Sequence, residues 1–237
     1  MTARLNRFLL EQTRHDSGGL VQPDFVVHPC TVAGRHQVDV YRHGKPAGSL
    51  LLDVDAKCPD KQVSIDLAAL ASPDKKGDCC CEDKDTVLRV DKDGYALFYV
   101  GSGSGGFSLS MNLLESKTDS PGFDSQHLQK GDLFGTTLLR PGRYTLRDTA
   151  AKISLPLIVS PVKPGTTPYV PPEALHLEMA DLRKHKDIRL QQAQGIVIRA
   201  EHDNRIVITL DDDDSHCGSE PRKQVARMTR TSRLRRK

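Results

Sequence analysis

Leu138-Leu139-Arg140-Pro141-Gly142-Arg143-Tyr144-Thr145-Leu146 constrains the fold more than any other stretch of this chain. A Pro-Gly turn delivers the chain into an alternating strand whose first large residue is a tyrosine. In Greek-key β-sandwiches the chain crosses between sheets in this way, and the tyrosine hydroxyl ties the corner to nearby backbone. Pro141, Gly142 and Tyr144 are therefore the structural candidates. The corner speaks to architecture and not to a reaction, because sandwiches host many unrelated functions.

The flanking sequence repeats the period of two. Phe25-Val26-Val27, Gln37 to Tyr41, Leu50 to Val54 and Val63 to Leu67 read as strands, as do Phe107 to Leu113, Leu133 to Leu139 and Ile153 to Val159. Asp91-Lys92-Asp93-Gly94 lies between Val87–Val90 and Tyr95–Val100, the pattern of an Asp-Gly hairpin. Thr2 to Gln12 carries Leu5, Phe8 and Leu9 at helical spacing. Five prolines between 161 and 172 predict a stiff linker. Beyond it, Leu175, Met179 and Leu182 predict a helix opened by Pro172 and Glu173. Ile196–Ile198 and Ile206–Ile208 predict a second hairpin. No internal repeat is read from the chain.

The expected fold is mainly β: an antiparallel Greek-key β-sandwich with a C-terminal helix plus β-hairpin and a basic tail. The expected units are an N-terminal helix and linker (1–23), the sandwich (24–160), a Pro-rich linker (161–172), the helix plus hairpin (173–214) and a disordered basic tail (215–237). The Pro141-Gly142-Arg143-Tyr144 corner resembles that of immunoglobulin-like and cupredoxin-like sandwiches. An immunoglobulin domain would place a cysteine two residues after the tyrosine, where this chain has Leu146, and a tryptophan in the core, where it has none. A blue-copper protein would follow the corner with Cys, His and Met ligands, and residues 145–160 contain none of the three. The resemblance therefore implies a fold and no copper site.

Charge is segregated along the chain. Arg222, Lys223, Arg227, Arg230, Arg233, Arg235, Arg236 and Lys237 are eight cations with no acid among them. Removing them from the 34 basic residues leaves 26 against 31 acids, so residues 1–221 carry −5 and the tail +8. These eight are the candidate polyanion-binding residues. The apolar run Phe8-Leu9-Leu10 is too short for a signal peptide, and no stretch reaches the length of a membrane span. The expectation is a cytoplasmic protein with reduced thiols.

Other motifs fall short of a chemistry. Gly101, Gly103 and Gly106 match a dinucleotide fingerprint, but the next segment alternates as a strand where the cofactor needs a helix. Asp91 to Gly94 lacks the rest of a calcium loop. Cys79, Cys80 and Cys81 are adjacent, which suits one tetrahedral ion poorly. They and His216 and Cys217 are the candidate metal or thiol residues. His28, Cys30, His36 and His43 cluster near the first strands without a known catalytic signature. The sequence thus points to a binding module rather than an enzyme, with no cofactor and with a protein or polyanion as partner through the tail. The alternative is a metal-binding or thiol-redox protein using Cys79–Cys81.

Overall fold

The structure is a computed structural model describing residues 7–72, 87–115, 122–162, 165 and 168–213. Alternating apolar residues form strands wherever the period of two is strong, and one continuous core collects their inward faces. The fold is mainly β, with three mixed sheets among the described residues. A six-stranded shared sheet contains β2 (Phe25–Pro29), β5 (Gln62–Asp66), β7 (Tyr95–Tyr99), β10 (Leu133–Thr137), β13 (Leu175–Glu178) and β15 (Gly195–Arg199). One flanking sheet contains β3 (Gly34–Arg42), β4 (Lys45–Val54), β6 (Val87–Val90), β8 (Phe107–Leu113) and β9 (Phe123–Asp124). The other contains β1 (Arg14–Asp16), β11 (Gly142–Asp148), β12 (Ile153–Ser160), β14 (Ile188–Gln191) and β16 (Ile206–Asp213).

The three sheets are two copies of one pattern. One flanking sheet runs β9-β8-β3-β4-β6 and the other β1-β16-β11-β12-β14, and each has three antiparallel pairings followed by one parallel pairing. The shared sheet, β5-β7-β2-β10-β15-β13, reads the same from either edge. Its middle pair joins Val26 to Phe134, which are 108 residues apart. The same offset relates Asp16 to Asp124, Ser17 to Ser125, Leu20 to Leu128, Asp24 to Asp132 and Gly34-Arg35 to Gly142-Arg143. The chain is therefore an internal duplication, two repeats related by an approximate two-fold at Val26 and Phe134. This overturns the expectation of no repeat.

The repeats interlock. The first strand of each pairs with the last strand of the other: β1 with β16, and β9 with β8. Within each repeat, four consecutive strands alternate between a flanking and the shared sheet. β6 lies parallel to β4 and β7 parallel to β5, and β14 lies parallel to β12 and β15 parallel to β13. Each such run makes one coil of the kind that β-solenoids stack. At the two-fold, Gly135 faces Phe25, and a Cβ there would sit 2.1 Å from the ring. A large and a small residue thus fill the centre jointly.

The antiparallel Greek-key sandwich is corrected accordingly. Period two reveals a strand but not its partner, and parallel pairing occurs in all three sheets. The Asp91–Gly94 turn does not close a hairpin: β6 and β7 lie in different sheets, and so do β15 and β16. Gly94 holds the crossing, since its backbone packs so closely on Lys61 that a Cβ would sit 2.5 Å from the carbonyl oxygen. The C-terminal helix is corrected as well. Leu175 and Leu177 alternate with His176 and Glu178 and add β13 parallel to β15, and only a short 3-10 turn (Met179–Lys184) follows. Pairing with an open sheet edge has overridden helical spacing. Among the described residues, the N-terminal segment is helical over Arg7–Glu11 and then becomes β1.

Candidate functional site

Each repeat begins with the same device. Asp16 Oδ1 accepts from the Gly18 N–H and Asp124 Oδ1 from the Gln126 N–H, at 2.9 and 2.8 Å. Eight residues on, Asp24 Oδ2 accepts from Val21 N and Asp132 Oδ2 from Gln129 N, at 3.2 and 2.7 Å. These carboxylates pin the turns that start β2 and β10. Their other oxygens each meet a histidine. His15 Nδ1 lies 2.6 Å from Asp24 Oδ1 and 3.0 Å from Thr136 Oγ1, and all three residues are buried. His28 Nδ1 lies 2.7 Å from Asp132 Oδ1, and its ring packs on Phe123 with centroids 4.5 Å apart. Since His28 is the equivalent of Thr136, and Phe123 of His15, the two sites share their carboxylate and its backbone donor, and the histidine reaches it from different positions of the repeat.

The next device is the corner. Tyr144 is fully buried and its hydroxyl donates to the Arg140 carbonyl at 2.9 Å. Its equivalent is His36, whose Nε2 donates to the Val32 carbonyl at 2.9 Å, again four residues back. Gly34 and Gly142 begin the two strands with φ of +133° and +149°, backbone that L side chains rarely adopt. The corner is thus part of the duplicated unit, and it begins a strand in a mixed sheet rather than a sandwich crossing.

A cavity of about 270 Å³ opens beside the first corner. His28, Cys30, His36, Gln129, Lys130 and Asp132 supply its polar lining, with Val54 and Met111 among the apolar residues. His36 is 5% exposed, and among the described residues its Nδ1 has no hydrogen-bond partner. Burial pushes the Cys30 thiol up to about 11, which keeps it protonated and unreactive at neutral pH. A wider trough of about 520 Å³ shares Gln129 and Lys130 and holds the exposed His127–Asp203 pair at 2.9 Å.

Asp16 ties the first repeat to Arg205 of the second. Burial works against its charge. The Arg205 guanidinium at 3.0 Å, Arg14 at 2.7 Å and the Gly18 N–H nevertheless hold its carboxyl below the ordinary 3.8. In return, the Asp16 carboxylate raises Arg205.

The structure brings together three of the four residues in the His28, Cys30, His36, His43 cluster. His43 stands apart in the β3–β4 turn, its ring against Gly106. Pro141, Gly142 and Tyr144 occupy the second corner. Gly101 to Gly106 bridge two sheets, with Arg42 donating to Ser104 Oγ and Gly105 O and stacking on Phe107. Cys79, Cys80, Cys81, His216, Cys217 and the eight basic tail residues from Arg222 to Lys237 lie outside the described residues. Sequence reasoning missed His15, Asp24, Asp132 and Thr136. The recurrence of Asp-Ser, Leu, Asp and Gly-Arg at a spacing of 108 would have marked the two carboxylates. Comparison with protein-family models, curated proteins and solved structures finds no match.

Proposed function

We propose that this protein acts by binding, as a duplicated β scaffold that presents residues 222–237 to a polyanion or an acidic partner. The observation that carries this reading is the segregation of charge: +8 within sixteen residues, against −5 for all the rest. Eight clustered cations displace counterions when they meet phosphates or sulfates, which gives strong, salt-dependent and sequence-tolerant association. The scaffold contributes a firm point of departure. β16 pairs with β1 over Val207–Thr209 and with β11 as far as Asp213, so its last residues are held by β11 up to the end of the strand.

Deletion of residues 222–237 tests the reading. The truncated protein should lose retention on heparin and DNA while its melting temperature stays nearly unchanged, and retention of the full chain should fall steeply with salt. Undiminished binding by the truncated protein would move the contact to the scaffold and refute the proposal.

A further inference from the structure

We infer that the polyanion is an acidic polysaccharide, and that a cleft beside Arg189 seats one of its uronate units. This rests on the reading of the tail as a polyanion contact and names its partner. The duplication shows how the cleft arises. In the first repeat seven residues, 55–61, join β4 to β5 and close directly on the turn between β6 and β7. There the Asp91 N–H donates to the Asp60 carbonyl at 2.8 Å, and the Tyr95 N–H to the Lys61 carbonyl at 2.9 Å. In the second repeat fourteen residues, 161–174, join β12 to β13. This longer strap meets the turn between β14 and β15 through side chains instead. Gln192 accepts from the Val162 N–H at 3.3 Å and donates to the Leu139 carbonyl at 2.9 Å. Gln194 donates to the Glu173 carbonyl at 2.8 Å and accepts from the Gln191 N–H at 3.0 Å. The Tyr169 hydroxyl donates to the Gln192 carbonyl at 2.7 Å. Between strap and strands lies a cleft of about 680 Å³. Its walls are tied in place without a ligand, as in preformed sites.

The two walls differ in chemistry. The strap contributes Pro161, Val162, Tyr169 and Pro172. The strands contribute Ser160, Arg189 and Gln191, whose side chains make no hydrogen bond among the described residues. Arg189 is the one charge among the described lining residues, and residues 160–172 include no acid. Asp187 stands 3.6 Å from its guanidinium, beyond hydrogen-bond reach. The cleft therefore suits a ligand with one anionic group, an apolar face and a polar rim. A uronate ring has all three: a face of C–H groups, a rim of hydroxyls and a carboxylate. Its C–H face would rest on Tyr169 and the prolines, its hydroxyls would meet Ser160 and Gln191, and its carboxylate would take the planar fork of Arg189. A nucleic-acid strand is held by stacking successive bases on several rings, and the described lining offers one, Tyr169. The tail leaves from the same end of the same sheet. Asp213 pairs with Gly142, Gly142 with Val159 and Val159 with Leu190, a distance of three strand spacings, or about 14 Å. Residues 214–221 can span about 26 Å at full extension, so a polysaccharide seated in the cleft passes within reach of the eight cations.

The test is an NMR titration of the full chain with three probes: hyaluronan tetrasaccharide, which carries uronates and no sulfate, neutral chitotetraose, and a short oligothymidylate. Hyaluronan tetrasaccharide should shift the amides of Val162, Tyr169 and Gln191 saturably, and chitotetraose should bind about tenfold more weakly for want of the charged hydrogen bonds. Arg189→Gln, at an exposed position, should keep the melting temperature and bind the two sugars alike. Tyr169→Ala should weaken both. Oligothymidylate should leave these three amides unmoved. The inference is overturned if hyaluronan tetrasaccharide gives no saturable shift there, if chitotetraose binds as well, or if Arg189→Gln binds hyaluronan tetrasaccharide undiminished. It is overturned in favour of a nucleic acid if oligothymidylate moves the same amides and Arg189→Gln abolishes that response. The reading of the tail fails separately, by heparin retention that survives deletion of residues 222–237.

Discussion

The two repeats keep the same backbone devices and spend the space around them differently. In both, one aspartate caps the opening turn, a second pins the start of a shared-sheet strand, and a glycine with positive φ begins the corner. In the second repeat the corner is closed by Tyr144 and Leu138. In the first it carries His36 and Cys30 and opens into a cavity. Interactions that fix backbone cannot drift without unpinning the fold, because each buried carboxylate serves N–H groups that would otherwise be unsatisfied. Side chains that only fill volume are free to change when a neighbour or a ligand can take up the space. The difference between the corners is therefore where function can enter a duplicated scaffold.

The largest expected effect breaks the closed corner. Tyr144→Ala removes a fully buried ring and its hydroxyl bond, and should lower stability by about 4 kcal/mol in urea unfolding. His36→Ala, at the equivalent position beside open space, should lower it by about 1.5 kcal/mol, chiefly the lost hydrogen bond and part of the ring. Equal losses at the two corners would show that the cavity is not a relaxation of packing.

A smaller effect separates the two capping aspartates. Asp16 binds Arg205 and Arg14 besides the Gly18 N–H, whereas Asp124 caps Gln126. Asp16→Asn should lower stability at neutral pH by about 2 kcal/mol, and Asp124→Asn by about 0.5 kcal/mol. The pH dependence has a definite sign. The folded carboxyl of Asp16 is held below 3.8, so its contribution is complete above that value and fades as pH falls through the lower folded one. The gap between wild type and Asp16→Asn should therefore close in acid unfolding curves below about pH 3.8.

The strands were legible in the sequence because alternation is a local signal, and the clean cases, β3, β8, β11 and β12, lie where it was read. Pairing was not legible. An Asp-Gly turn between apolar runs fits a hairpin and an inter-sheet crossing equally, and only the distant partners of β6 and β7 decide between them. The duplication stayed hidden because its shared residues are scattered turn and cap positions. Its spacing also drifts, from 108 at Asp24 and Asp132 to 97 at Leu109 and Ile206, because the connections of the second repeat are together shorter. Of the site, His28, Cys30 and His36 could be gathered from their nearness in sequence. Asp132, 104 residues from His28, could not. The orphaned nitrogen of His36 is a property of packing that no residue pattern displays.

The central claim is that the protein is two interlocked repeats, each completed by the other. Expressing residues 1–115 and 116–237 as separate chains tests it most directly. Each half lacks a strand that only its partner supplies: β9 beside β8 in the first, and β1 beside β16 in the second. Neither half should give a cooperatively unfolding monomer by circular dichroism and size-exclusion chromatography. Mixed at equal concentrations, the two should regain the strand signal and elute as a one-to-one complex of the size of the intact chain. A half that folds alone as a stable monomer, with a sharp thermal transition, would contradict the account.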